Sequence, residues 1–166
     1  MRAALLATAL LGTTAPAMAQ NLVLGAGYAD FSHVLSEDGG VASVEYQHDP
    51  FYRNGQFEFG WGGSATVHGT GDVFLGAGFI GTYQFQNDWF IETSVMPGAF
   101  FENDARNDLG STFEIRSLAG FGYRFNNGGA VSLALTHKSN ASTATTNPGV
   151  NTLLLRWHMP LQGRSG

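Results

Sequence analysis

The chain has 166 residues, with 8 Lys+Arg against 13 Asp+Glu, 13% charged residues overall and no cysteine. An acidic balance without a basic cluster argues against nucleic-acid binding, and the lack of cysteine excludes disulfides, thiolate metal sites and a cysteine nucleophile. Twenty-three glycines and 13% aromatics suit closely packed strands better than a helical domain.

Residues 1–19 read as a secretory signal: Arg2, an apolar stretch from Ala3 to Leu11, then the small-residue cleavage site Ala17-Met18-Ala19. The mature protein is expected to begin at Gln20 and to form one domain over residues 20–166. It then keeps one basic residue fewer than the full chain and all 13 acids, a formal charge of −6. No apolar run beyond the signal approaches the roughly 20 residues of a helical membrane span. A membrane role would therefore be that of a barrel.

Eight segments follow in which apolar and small or polar residues alternate with period two, the signature of strands that separate two environments. They are residues 21–31, 40–48, 56–67, 73–86, 88–100, 112–125, 130–139 and 150–161. In the third, Phe57, Phe59 and Trp61 oppose Glu58, Gly60 and Gly62. In the fourth, Val73, Leu75, Ala77, Phe79, Tyr83 and Phe85 oppose Phe74, Gly76, Gly78, Ile80, Thr82 and Gln84. In the sixth, Phe113, Ile115, Ala119, Phe121 and Tyr123 oppose Glu114, Arg116, Gly120, Gly122 and Arg124. Glycines, modest polar groups and a charge-paired plug of Glu114, Arg116 and Arg124 suit a narrow lumen, with the aromatic face toward lipid. Met96-Pro97 reads as a strand end or bulge, and Trp61, Trp89 and Trp157 as interfacial belt residues.

The connections are expected to alternate in length, as in barrels with short periplasmic turns and longer extracellular loops. Gln86-Asn87-Asp88 and Asn126 to Gly129 are tight; Glu102 to Gly110 and Asn140 to Gly149 are long and polar, and Asp49 to Gly55 fits least well. These features predict an all-β fold, an eight-stranded antiparallel up-and-down transmembrane β-barrel whose closure removes exposed edges.

The seventh segment ends on His137-Lys138-Ser139-Asn140-Ala141. Odd positions from Val131 to Ser139 share one face with Leu133 and Leu135, so His137 and Ser139 face outward. If Leu135 pairs with Leu153 of the last segment, His137 faces Asn151. A serine, a histidine and a third polar group in line form the general layout of an activated nucleophile. On an outer wall, the substrate such a set would meet is the lipid itself. His33, His48, His68 and His158 share no metal-ligand spacing and read as loop or rim residues.

His137-Lys138-Ser139-Asn140-Ala141 followed by Asn147-Pro148-Gly149-Val150-Asn151 resembles the His-x-Ser-Asn-Ala signature and downstream loop of the outer-membrane lipid A 3-O-deacylases, the PagL-like acyloxyacyl hydrolases. The segment from Phe113-Glu114-Ile115-Arg116 to Asn126-Asn127-Gly128 is similar to that family as well. The resemblance implies an enzyme of the Gram-negative outer membrane that removes the 3-O-linked acyl chain from lipid A of lipopolysaccharide at the extracellular leaflet, without metal or cofactor. It implies Ser139 as nucleophile, His137 as general base, Asn140 as an oxyanion donor through its side-chain amide, and Asn151 in the place where the family has an acid. Glu102 or Asp104 could then supply a helping carboxylate. Ser142 stands where the family often has glycine. Two rival readings stay open: a structural or adhesive barrel with a vestigial site, and a soluble barrel with an internal ligand. Whether the protein is a monomer or a homodimer is also open.

Overall fold

The computed structural model describes residues 20–32 and 34–161. The signal segment 1–19, His33 and residues 162–166 lie outside the described residues. The strands are β1 (Asn21–Phe31), β2 (Gly39–Gln47), β3 (Tyr52–Asn54), β4 (Phe57–His68), β5 (Val73–Gln84), β6 (Trp89–Phe101), β7 (Phe113–Arg124), β8 (Ala130–Ser139) and β9 (Val150–Pro160). All pairings are antiparallel between chain neighbours, except that β9 returns to β1 and β2 reaches past β3 to β4. β3 is a short spur along β4, with Tyr52 opposite Phe59. The other eight strands close a barrel.

Closure follows from the alternation in the sequence. Phe74, Phe90 and Phe100 are buried inside, while Leu75, Phe79, Leu133, Leu135, Leu155 and Trp157 stand exposed on the outer wall. A water-soluble sandwich would reverse this, so the exposed apolar band is a lipid-facing surface. Trp89 stacks on Phe121 at 4.8 Å between centroids and Trp157 lies 5.8 Å from Phe125. These rings sit with Trp61 toward the end of the barrel that carries the turns 85–88 and 125–129, as an interfacial belt requires.

Three details depart from the sequence expectation. The connection between β4 and β5 is only four residues long although it lies at the loop end, and the one between β2 and β4 at the turn end is longer and contains β3. There Arg53 joins Asp49 at 2.5 Å and Glu58 at 3.1 Å, so local ion pairs fold the extra chain back on itself. Pro97 neither ends β6 nor causes a bulge. The β5–β6 ladder lapses beside it and resumes in the same register, from Phe79 opposite Val95 to Gly76 opposite Gly98, because proline has no N–H to give.

The expected lumen plug exists with different members. Arg116 reaches Glu45 at 3.1 Å, and Arg156 bridges Glu45 at 2.8 Å and Glu92 at 2.6 Å. Gln47 donates to both carboxylates. The Glu114 carboxylate joins none of these arginines, and Arg124 instead donates to Gln84 and lies over the Phe90 ring. Reading each strand alone cannot show that Glu45, Glu92 and Arg156, on three separate strands, meet at one level.

Above this network, toward the loop end, Ala29, Phe31, Val41, Phe74, Phe100, Leu109, Val150 and Leu154 form an apolar cluster. Below it, a polar cavity of about 660 Å³ opens at the turn end, lined by residues including Gln47, Glu92, Arg124 and His158. The lumen is thus plugged rather than open.

Arg156→Met would leave Glu45 and Glu92 buried with half their compensation removed. Loss of one partner in a buried network costs on the order of 3–5 kcal/mol. The unfolding midpoint in urea, followed by heat-modifiable gel mobility, is expected to fall accordingly, while Arg124→Met leaves it nearly unchanged.

Candidate active site

β8 ends with His137 and Ser139 on the outer wall, and β9 begins beside it. The β8–β9 register puts Leu135 opposite Leu153 and His137 opposite Asn151, the pairing expected from the sequence. Asn151 Oδ1 lies 2.9 Å from His137 Nδ1. A carbonyl oxygen can only accept, so Nδ1 is the donor of this contact, and in the neutral ring Nε2 then carries the lone pair. That is the form of imidazole able to take a proton from a hydroxyl.

Ser139 lies two residues along the same face, about 6.6 Å away at the strand repeat, with Ile115 opposite it. No hydrogen bond joins its Oγ to His137 among the described residues. Such contacts often tighten only with substrate bound. On the other flank Ser117 faces His137 and donates to its carbonyl at 3.4 Å. Beyond Asn151, β1 contributes Asp30 as the next residue in the same row. The row therefore reads Ser117, His137, Asn151, Asp30 across four strands.

The connection from 140 to 149 holds this wall from behind. Asn140 is fully buried, and its amide nitrogen donates to the Leu109 carbonyl at 3.0 Å and the Thr146 carbonyl at 2.7 Å. Its Oδ1 accepts from the Ser142 N–H, and its backbone N–H donates to Asn147 Oδ1. Both amide protons are thus taken by main-chain carbonyls in this arrangement, where the expectation had this side chain donating to an oxyanion. Asn140 is a loop anchor. Ala141 and Ser142 both have positive φ, 51° and 62°, and the Thr143 N–H closes the turn onto the Asn140 carbonyl. Glycine at position 142 would adopt that backbone without strain, so the serine there costs some stability.

A further set of bonds ties the loops together. Asp72, fully buried, accepts from the backbone N–H groups of Asn103 and Asp104 and from Thr70 and Asn107. Asn107 continues to both backbone groups of Glu37, donating to its carbonyl and accepting from its N–H. Burial opposes ionisation of Asp72, but the hydrogen bonds from Thr70, Asn107, Asp104 and Asn103 outweigh it and hold its carboxyl below the usual range. Asp104 is committed elsewhere: hydrogen bonds from Arg106 bring its carboxyl down to about 2. Neither it nor Glu102 touches His137 or Asn151 among the described residues, so the helping carboxylate expected in that loop is not there. Asp72 and Asn107 carry no local sequence signal for this role, because the partners that tie the loops together lie between 31 and 70 residues away.

The outer-wall site on a plugged eight-stranded barrel can now be set against known proteins. The family model for lipid A 3-O-deacylase (PagL) matches residues 38–160. The chain belongs to that family. It is an outer-membrane carboxylic ester hydrolase, a lipid A 3-O-deacylase, which sets aside the structural-barrel and soluble-barrel readings. The crystal structure of the outer membrane enzyme PagL superposes with a TM-score of 0.66 at 22% identity, covering 85% of this chain and 99% of that one. A de novo designed transmembrane β-barrel (TM-score 0.56, 11% identity, 87% and 96% covered) and Neisserial surface protein A (0.52, 12%, 85% and 96%) share the fold. A sequence search of curated proteins found no match.

Gly149 sits at φ 73°, and a Cβ there would lie 3.0 Å from His137 Cε1 and 3.1 Å from the Lys138 carbonyl. Gly149→Ala in this PagL-family enzyme is therefore expected to displace the imidazole and lower deacylation at least tenfold, with the barrel still heat-modifiable. The low folded pKa of Asp72 means that its contribution is present above the unfolded value of about 3.9 and is lost as pH falls through the folded value. Amide exchange at Asn103 and Asp104 is expected to stay slow at pH 6 and to accelerate only below the ordinary carboxylate range.

Proposed function

We propose that the deacylase works as a serine esterase with Ser139 as nucleophile and His137 as general base. The observation that carries this is the His137 Nδ1 to Asn151 Oδ1 contact of 2.9 Å, which leaves Nε2 as the basic nitrogen of the neutral ring on the face that also bears Ser139. The Ser139 hydroxyl proton passes to His137 Nε2 as Oγ attacks the carbonyl carbon of the 3-O-linked acyl ester. Collapse of the tetrahedral intermediate expels the sugar oxygen, which takes the proton from His137. Water, deprotonated by the same imidazole, then releases the fatty acid and restores Ser139.

Charge gathering on the former carbonyl oxygen needs a donor. Within the turn after Ser139, the N–H groups of Asn140, Ser142 and Thr143 are already taken. The Ala141 N–H is the donor of that turn with no partner among the described residues, and we assign it the oxyanion role in place of the Asn140 side chain. Asn140 keeps the turn in position through its buried amide.

The site lies on the lipid-facing wall at the end that carries the Asn140–Gly149 connection. With residues 1–19 removed during export and the short turns in the periplasm, this end faces outward, and the ester meets Ser139 in the extracellular leaflet of the Gram-negative outer membrane. Leu133, Leu135, Leu153 and Leu155 continue the wall below the site and suit the released acyl chain. The site is complete within one chain, so a homodimer is not needed for the chemistry.

The test is mass spectrometry of lipid A after incubation of lipopolysaccharide with the refolded mature protein in detergent. Loss of one hydroxyacyl chain is expected with the unmutated protein. Ser139→Ala and His137→Ala are expected to cut the rate at least a thousandfold while refolding normally; retained activity in Ser139→Ala would overturn the nucleophile assignment.

A further inference from the structure

An amide in the orienting position carries a specific risk. Carboxylates accept through either oxygen, so they always leave Nε2 of the neighbouring histidine free. Asparagine has one accepting and one donating end. If its amide turns over, Nδ2 faces Nδ1, the ring proton moves to Nε2, and the base is lost; substitution of a triad aspartate by asparagine is known to fail through this wrong tautomer. Something must therefore hold the Asn151 amide with its oxygen toward His137.

The neighbouring strand offers a group suited to this. Asp30 of β1 is the register partner of Asn151 on the side away from His137, and both residues are exposed on the outer wall. Cross-strand partners on one face have Cβ atoms about 4.5–5.5 Å apart, within reach of a side-chain hydrogen bond. The register is secured on both sides of this pair, by Ala29 opposite Thr152 and Phe31 opposite Val150, and the Ser32 N–H donates to the Gly149 carbonyl at 3.2 Å. Asp30 is also the one Asp, Glu, Lys or Arg on the outward face of the eight barrel strands among the described residues. The rest of its row on β1 is Leu22, Leu24, Ala26 and Tyr28. Ionised side chains are disfavoured on a lipid-facing wall, and this one stands beside the asparagine.

We propose that Asp30 is a positioning residue, which accepts from Asn151 Nδ2 and so holds the amide in the orientation that keeps the proton of His137 on Nδ1. The inference rests on the serine-esterase reading above. A carboxylate can accept but not donate, so it selects one of the two amide orientations. The chain of influence runs from Asp30 to Asn151 to His137 to Ser139, with Asp30 acting only through Asn151.

The prediction is a coupling between positions 30 and 151, tested by the lipid A assay on four refolded proteins. Asp30→Asn is expected to lower kcat about tenfold, or roughly 1.4 kcal/mol of barrel-borne transition-state stabilisation, with KM little changed. Asn151→Glu supplies an acceptor that has no wrong orientation, so the Asn151→Glu, Asp30→Asn double variant is expected to be at least as active as Asn151→Glu alone. A full rate in Asp30→Asn, or the same tenfold loss in both backgrounds, would refute the positioning role while leaving Ser139 and His137 in place. Ring ¹⁵N shifts of His137 give an independent readout, with an unprotonated Nε2 in the unmutated protein and a mixture of tautomers in Asp30→Asn. An unshifted tautomer in Asp30→Asn would also count against it. Ser139→Ala run alongside separates these outcomes from failure of the esterase reading itself, which only retained activity in that variant would indicate.

Discussion

Hydrocarbon leaves no backbone N–H or C=O free to find water, and each unsatisfied group costs several kcal/mol. A sheet can meet that condition only by closing, and here the closing contacts are those of β2 with β4 and of β9 with β1. Everything else is arranged around a wall one strand thick. Its outer side must be apolar, and its inner side must fill a narrow tube. The site, the plug and the loops all take their positions from that two-sidedness.

Inside the tube, ionic groups do the filling. Glu45, Glu92, Arg116 and Arg156 are each almost completely buried, which would be untenable singly but is tolerable when each charge meets an opposite one and Gln47 donates to both carboxylates. Toward the loop end this gives way to an apolar cluster closed over by Leu109. Asp72, Asn107 and Asn140 then sew the loops to one another through bonds to main-chain atoms. This support stands directly behind the end of β8, which carries the candidate site.

Placing the candidate catalytic groups outside the barrel rather than in its lumen follows from the substrate. A lipid ester anchored in a bilayer has no way into a plugged tube, whereas a group on the outer wall is open to it. His137 and Ser139 occupy the last outward positions of β8, where the aliphatic row of Val131, Leu133 and Leu135 ends. Hydrophobic chain and polar ester linkage are thus met in the order in which the membrane presents them.

Much of this was legible in the residues. Period-two alternation is a local property, fixed by the geometry of one extended strand, and so the eight spans, the outward direction of His137 and the pairing of His137 with Asn151 across a single hairpin could all be read directly. Long-range partners could not. Glu45 meets Arg116 across 71 positions and Arg156 across 111, and no local pattern records which strand's charge reaches which. Asn140 shows the same limit from the other side: its type and motif suggested an oxyanion donor, while its burial against Leu109 and Thr146 depends on two loops meeting. Asp30 is the sharpest case. Its place as a lone charge on an outward face was visible in β1 itself, but its meeting with Asn151 exists only because the first and last strands close the barrel. The sequence by itself determined the strands, their two faces and the residues that could do chemistry, because these depend on neighbours within a few positions. Only the tertiary structure decided which of those residues meet, because closure brings together groups that chain order keeps apart.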